Sequence, residues 1–162
     1  MAVVAGAMLD HEYRSALSDT AAGRAWFAAE QRRVHALVNR AWPRALGTTP
    51  MGMARALTVH SRRRAVRYRW RLWRGRRDRL ADVLDAVRAQ WPVPMLVGRV
   101  IPRHWVLIVA ASADLLQCYD PASGEVLTVA VDAVRHAQLR GLGYPRPFAF
   151  VLPSSVTRAA TA

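Results

Sequence analysis

Hydrophobic residues in the second half of the chain occur in short runs of the length of β-strands. Three such runs, at residues 93–97, 105–109 and 115–119, are rich in β-branched and aromatic residues. Proline, glycine, serine and aspartate separate them, which favours turns. Residues 125–131 and 148–152 have the same character. The pattern predicts a sheet in which the runs at 105–109 and 115–119 pair as an antiparallel hairpin.

Helical spacing of apolar residues predicts helices before and between these strands. The predicted helices span residues 9–17, 19–40, 50–60, 78–90 and 132–140. Pro50 suits the first helical position, and Thr48 or Thr49 can cap that helix. Because helices come first, the order predicts an α+β domain with N-terminal helices packed on a mostly antiparallel sheet.

Apolar and basic side chains alternate through residues 66–73, up to the apolar pair Leu72 and Trp73. The alternation predicts a strand with Tyr68, Trp70 and Leu72 on a buried face and Arg67, Arg69 and Arg71 on a solvated face. Arginines between aromatic residues also suit nucleic-acid binding, because they pair with phosphates while rings stack on bases. The other interpretation is a charged sheet edge that discourages pairing with further strands, and inward-pointing aromatics favour it.

Length and composition indicate one globular domain. The 162 residues contain 52% hydrophobic residues, which excludes a disordered chain. We expect an arm at residues 1–18, a domain at 19–153 and a flexible tail at 154–162. No apolar run reaches the roughly 18 residues of a membrane span, and no basic segment opens a signal peptide. We therefore expect a cytoplasmic protein that does not contact membranes.

Cysteine and histidine usage argues against metal sites and cofactors. Cys118 is the one cysteine, so that an intrachain disulfide and a zinc site built on cysteine pairs are excluded. The five histidines show no spacing typical of metal ligands. We expect neither a metal nor another cofactor.

The formal net charge is +13, and all the positive side chains behind it are arginines, since the chain has no lysine. This usage is typical of a GC-rich, bacterial genome, so that part of the charge can reflect codon composition. The arginines are nevertheless concentrated, with ten of them and a single acid between residues 62 and 79, here called the arginine band. Such a band attracts polyanions, and nucleic acid is therefore a candidate partner.

Candidate chemistry lies at the ends of the predicted hairpin. His104 precedes the run at 105–109, and Asp120 ends the next one, so antiparallel pairing places the two side chains at the same end of the sheet. A carboxylate that orients an imidazole is half of a nucleophilic hydrolase site. The alternative is a histidine at a strand edge beside an ordinary turn in Asp-Pro-Ala-Ser-Gly.

These segments together resemble the C39-like group of papain-like cysteine peptidases. The resemblance covers about residues 46–152 and lies in the order of DRLADVLDAVRAQW, PVPMLVG, RHWVLIVA and LLQCYDPASGEV. It implies a papain-like fold in which His104 is the general base and Asp120 orients it. The family's nucleophile is a cysteine at a helix start, where the helix dipole lowers the thiol pKa.

This chain departs from the family at the nucleophile. Thr48 occupies the matching position beside Thr49, and no glutamine precedes it to bind an oxyanion. A threonine hydroxyl is a poor replacement for a thiol. Trp42, just upstream, is expected to narrow or cover the cleft, and Cys118 would be a nucleophile without a helix dipole.

Three functions remain open at this point. The first is a papain-like domain without peptidase activity that binds a peptide or partner protein in its cleft. The second is an active hydrolase or acyl-transferase that uses Thr48 or Cys118. The third is a nucleic-acid or polyanion-binding module that uses the arginine band.

Overall fold

The computed structural model describes residues 2–9 and 48–154 of the chain. The helices are α1 (Ala2–Leu9), α2 (Pro50–His60), α3 (Ala81–Arg88) and α4 (Val131–Arg135). The strands are β1 (Tyr68–Leu72), β2 (Val93–Gly98), β3 (Pro102–Ala111), β4 (Leu115–Asp120), β5 (Glu125–Ala130) and β6 (Arg146–Pro153). The predicted helices at 9–17, apart from Leu9, and at 19–40 lie outside the described residues. Trp42 and nearly all of the predicted tail lie outside them as well.

Within the described residues, the strands form one antiparallel sheet in the order β1-β6-β2-β3-β4-β5. The predicted hairpin of β3 and β4 is confirmed, with Ile108 opposite Cys118. The predicted α+β class is confirmed as well, because helices lie before and between the strands of this antiparallel sheet.

Helices cover both faces of the sheet. On one face, here called the α2 face, α1 and α2 pack on Leu96, Trp105 and Leu107. On the other, the α3 face, α3 and α4 pack on side chains that include Val106 and Ile108. Successive residues of β3 therefore enter different cores, as alternation along a strand requires.

The beginning of α2 is as predicted. Thr49 is the N-cap, and its hydroxyl oxygen accepts a hydrogen bond of 3.0 Å from the backbone N–H of Gly52. Pro50 follows at the first helical position, where its missing N–H has no cost. Near the other end, the Thr58 hydroxyl accepts a bond of 2.9 Å from the N–H of Tyr68, which joins α2 to β1.

Three predicted boundaries differ from the structure. Part of the expected N-terminal arm is the helix α1, whose Ala5 and Leu9 are buried against α2 because the segment is almost wholly apolar. The helix predicted at 78–90 begins only at Ala81, since Leu80 has a left-handed φ of 55°. The helix predicted at 132–140 ends at Arg135, shortly before Ala137 with a φ of 56°.

The predicted burial of β1 was wrong at its second half. Trp70 is 44% exposed and Leu72 63% exposed, and each lines an open cavity beside α2 instead of packing under the helix. Arg71, expected in solvent, instead lies on the α3 face above the Phe150 ring and bonds to Asp78 and Asp82. The strand alternates as predicted, but the helices cover the basic face at this position.

Candidate functional site

His104 and Asp120 are in direct contact. Nε2 of His104 lies 2.7 Å from Oδ1 of Asp120, and the side chains are 17% and 13% exposed. The hairpin brings the start of β3 beside the end of β4, as expected from the sequence. Oδ1 also accepts a bond of 2.8 Å from the N–H of Ala122, which fixes the carboxylate.

This contact indicates which nitrogen carries the proton when the His104 ring is neutral. An ionised carboxylate only accepts hydrogen bonds, so Nε2 of His104 is the nitrogen that donates to Asp120. Nδ1 of the neutral ring is then the basic nitrogen. The arrangement suits a general base whose orientation is fixed by a carboxylate.

Tyr144 completes the surroundings of this pair. Its ring stacks on His104 with the centroids 5.2 Å apart and the planes inclined by 23°. Tyr144 also packs against the core of the α3 face, so it links the imidazole to the fold. No local pattern predicted this contact, because Tyr144 lies in the loop before β6, 40 residues beyond His104.

The two threonines at the start of α2 have other partners. The Thr48 carbonyl accepts a hydrogen bond of 2.9 Å from the Trp105 indole N–H, and the Thr49 hydroxyl caps α2. Within residues 48–154, no hydrogen bond joins the Thr48 hydroxyl to His104. His104 precedes Trp105 on β3 and therefore points towards the α3 face, whereas α2 lies on the other face.

Cys118 is enclosed in the core of the α3 face. It is 0% exposed, and burial raises the pKa of its thiol to about 12. A thiol with this pKa is protonated at neutral pH, and substrate has no path to it. The structure therefore gives Cys118 the role of a small buried hydrophobic residue.

An apolar cavity of about 270 Å³, here called the α2 cleft, lies beside the start of α2. Its walls come from α2, the edge of β1 and the centre of the sheet. The lining residues are Thr48, Thr49, Pro50, Leu72, Leu96, Pro102, Arg103, Trp105, Phe148 and Ala149. The cleft therefore includes both predicted threonines but not His104.

The predicted basic residues of β1 divide into two groups. Arg67 and Arg69 are exposed, whereas Arg71 is held by two carboxylates.

Among the described residues there is no cluster of histidine, cysteine and carboxylate side chains that could hold a metal ion. No helix in the same part of the chain is both long and apolar enough to cross a membrane.

Comparisons with known proteins give a distant structural likeness. No protein-family model matches the chain, and no curated protein matches it either. Among solved structures, it is similar to the peptidase domain of Streptococcus ComA, described as a bifunctional ABC transporter involved in quorum sensing. The two are 13% identical, the match covers 76% of each chain, and the TM-score is 0.42. Nothing about the activity of this chain follows from so distant a likeness.

Proposed function

We propose that this is a papain-like domain, similar to C39-like peptidases, that lacks cysteine-peptidase activity and binds an apolar segment of a peptide or partner protein in the α2 cleft. One observation is central to this proposal. The chain has a single thiol, Cys118, and it lies in the core with its pKa raised to about 12. His104 and Asp120 thus have the geometry of a base and its orienting group without a thiolate to activate.

Threonine does not replace the missing thiol in this proposal. A hydroxyl needs a base within hydrogen-bond reach, about 2.6–3.2 Å, to become a nucleophile. Thr49 uses its hydroxyl as a helix cap, and Thr48 has no hydrogen bond to His104 within the described residues. The separation of the two sheet faces supports the loss of turnover.

The α2 cleft supports a binding function. Leu96, Trp105 and Phe148 give it apolar walls, and a volume of about 270 Å³ accommodates one or two apolar side chains of a peptide. Arg103 at the same site provides a positive charge for a carboxylate or a backbone carbonyl of the ligand.

An active hydrolase is the second candidate, and the contact of 2.7 Å between His104 and Asp120 favours it. The two candidates differ in an assay with casein and a library of fluorogenic peptides. The proposal expects no turnover by the wild-type chain. Turnover that disappears in His104→Ala would instead establish the hydrolase.

Binding is tested by selecting peptides from a displayed random library and measuring their affinity by calorimetry. Leu72→Glu places a charge at the wall of the α2 cleft and should weaken the selected peptides at least tenfold. Leu115→Glu is the matched control, because Leu115 is also an exposed strand leucine but lies on β4 away from the cleft. Equal affinity in both variants, or no selected peptide at all, would contradict the proposal.

A further inference from the structure

A second depression runs between α2 and β1, and none of the described residues that line it also lines the α2 cleft. It has a volume of about 460 Å³ and is here called the α2–β1 groove. Its principal lining residues are Met51, Arg55, Val59, Arg62, Arg69 and Trp70. Arginine and apolar side chains thus alternate along a groove at the edge of the sheet.

Among the described residues, nothing neutralises the charge of this groove. Arg55, Arg62 and Arg69 form no ion pair within residues 48–154, and no carboxylate from this part of the chain lines the groove. The acids nearest to β1, Asp78 and Asp82, bond to Arg71 on the opposite face of the sheet. Arg69 leaves β1 on the face opposite to Trp70, and it lines the groove at the outer edge of the sheet, where β1 is the last strand of the described order. The groove therefore offers Arg55 and Arg62 beside the Trp70 ring and Arg69 at its rim to an anionic ligand.

An aromatic ring is available among these charges. Trp70 is 44% exposed, contrary to the expectation that the aromatics of this strand all point inwards. Met51 and Val59 beside it are 51% and 45% exposed. An exposed indole between guanidinium groups combines a stacking surface with phosphate-binding groups.

The backbone of β1 disfavours an added peptide strand here. The Tyr68 N–H already donates to the Thr58 hydroxyl, and the Leu72 carbonyl accepts from Arg71 at 3.0 Å. These bonds occupy part of the short outer edge that a ladder of backbone hydrogen bonds would need. Charge and stacking are the further means of recognition that the groove offers.

We propose that the α2–β1 groove binds a short segment of single-stranded nucleic acid. Phosphates pair with Arg55, Arg62 and Arg69, and an unpaired base stacks on Trp70. A duplex keeps its bases within the stack and cannot use the indole in this way. The groove is separate from the cleft of the proposed function, so either site can fail while the other is retained.

The test measures fluorescence anisotropy of a labelled 12-nucleotide oligothymidine against the full chain at several salt concentrations. The variant Arg55→Gln/Arg62→Gln/Arg69→Gln should bind at least tenfold more weakly at low salt. Its plot of log affinity against log salt should also be shallower by about 2, for three lost phosphate contacts. The matched control Arg76→Gln/Arg99→Gln/Arg140→Gln removes the same charge from exposed arginines outside the groove and should stay within twofold of wild type.

Stacking is tested separately with Trp70→Ala and Trp70→Phe. Alanine should weaken binding at least fivefold with the salt dependence unchanged, whereas phenylalanine should retain part of the affinity. Far-UV circular dichroism and thermal unfolding report whether each variant is folded.

Three results would overturn the proposal. They are equal weakening by both arginine triples, no effect of Trp70→Ala, and binding of duplex DNA or poly-glutamate as tight as that of the oligothymidine. Absence of oligothymidine binding by the wild-type chain at low salt would overturn it as well.

Discussion

At the scale of single residues, the chemistry of the site depends on what each polar group already contacts. His104 has an orienting carboxylate at 2.7 Å, whereas Thr48 contributes a backbone carbonyl to Trp105 and Thr49 caps α2. The residue types alone suggested a base and a hydroxyl nucleophile. The contacts support His104 as a base, whereas the role of Thr48 as a nucleophile stays a prediction.

Thr48→Cys tests whether position 48 is still a nucleophile site. We expect a thiol with the reactivity of an ordinary cysteine and no peptidase activity, because His104 points to the other face of β3. The measurement is the rate of iodoacetamide alkylation against pH, with wild type reporting any reaction of the buried Cys118. Fast alkylation at neutral pH that His104→Ala abolishes would show instead that base and thiol meet.

Arg71 is the residue whose environment the sequence least revealed. Its guanidinium lies 2.6 Å from Asp78 and 2.6 Å from Asp82, and the Asp78 side chain is only 3% exposed. Arg71→Ala leaves a buried carboxylate unpaired and should lower the free energy of unfolding by about 3 kcal/mol. Urea unfolding measures this change. The exposed neighbour is the control, and Arg69→Ala should change stability by less than about 0.5 kcal/mol.

The same network gives stability a pH dependence. Burial alone would raise the pKa of Asp78 and Asp82, but the hydrogen bonds and charge of Arg71, together with hydrogen bonds from backbone N–H groups, outweigh it and hold both below the usual 3.8. Because the unfolded carboxylates bind protons more readily, the stabilisation is present at neutral pH and is lost as pH falls below about 4. The stability gap between wild type and Arg71→Ala should therefore narrow at about pH 3.5. A gap of constant size would show that these carboxylates do not cause it.

At the scale of elements, α2 was predictable because its signals are local. A capping threonine, a proline at the first position and an apolar stripe act within one helical turn of the residues that they affect. The extent of α3 and α4 was less predictable, because the left-handed residues Leu80 and Ala137 have no glycine to mark them.

The cap of α2 can be tested directly. Thr49→Ala removes the bond of 3.0 Å to the Gly52 N–H and should lower the free energy of unfolding by about 1 kcal/mol. Thr49→Ser keeps a hydroxyl and should remain close to wild type. Chemical denaturation of the three proteins gives the comparison, and an equal loss in both variants would point to packing of the threonine methyl group.

The strand β1 shows where local pattern fails. Alternation correctly assigned Trp70 and Arg71 to opposite faces, since the side-chain period of a strand is two. Which side chains of each face are covered depends on how closely α2 and α3 pack against β1, and local alternation does not specify that packing. The exposure of Trp70 and the burial of Arg71 follow from that placement.

At the scale of the whole molecule, the sheet separates the His104–Asp120 pair from the two cavities. The His104–Asp120 pair faces α3, whereas the α2 cleft and the α2–β1 groove lie on the side of α2. Together with the burial of Cys118, this separation supports the proposal of binding in place of peptide hydrolysis.

The sequence by itself determined the α+β class, the strand segments of the sheet, the cap of α2 and the approach of His104 to Asp120. These features depend on local propensity, on alternation and on a hairpin of short connection, all of which act over few residues. The stacking of Tyr144, the ion pairs of Arg71, the exposure of Trp70 and the two cavities were decided by tertiary structure alone. They arise where helices meet the sheet across long stretches of chain, and no local pattern specifies which residues such packing covers.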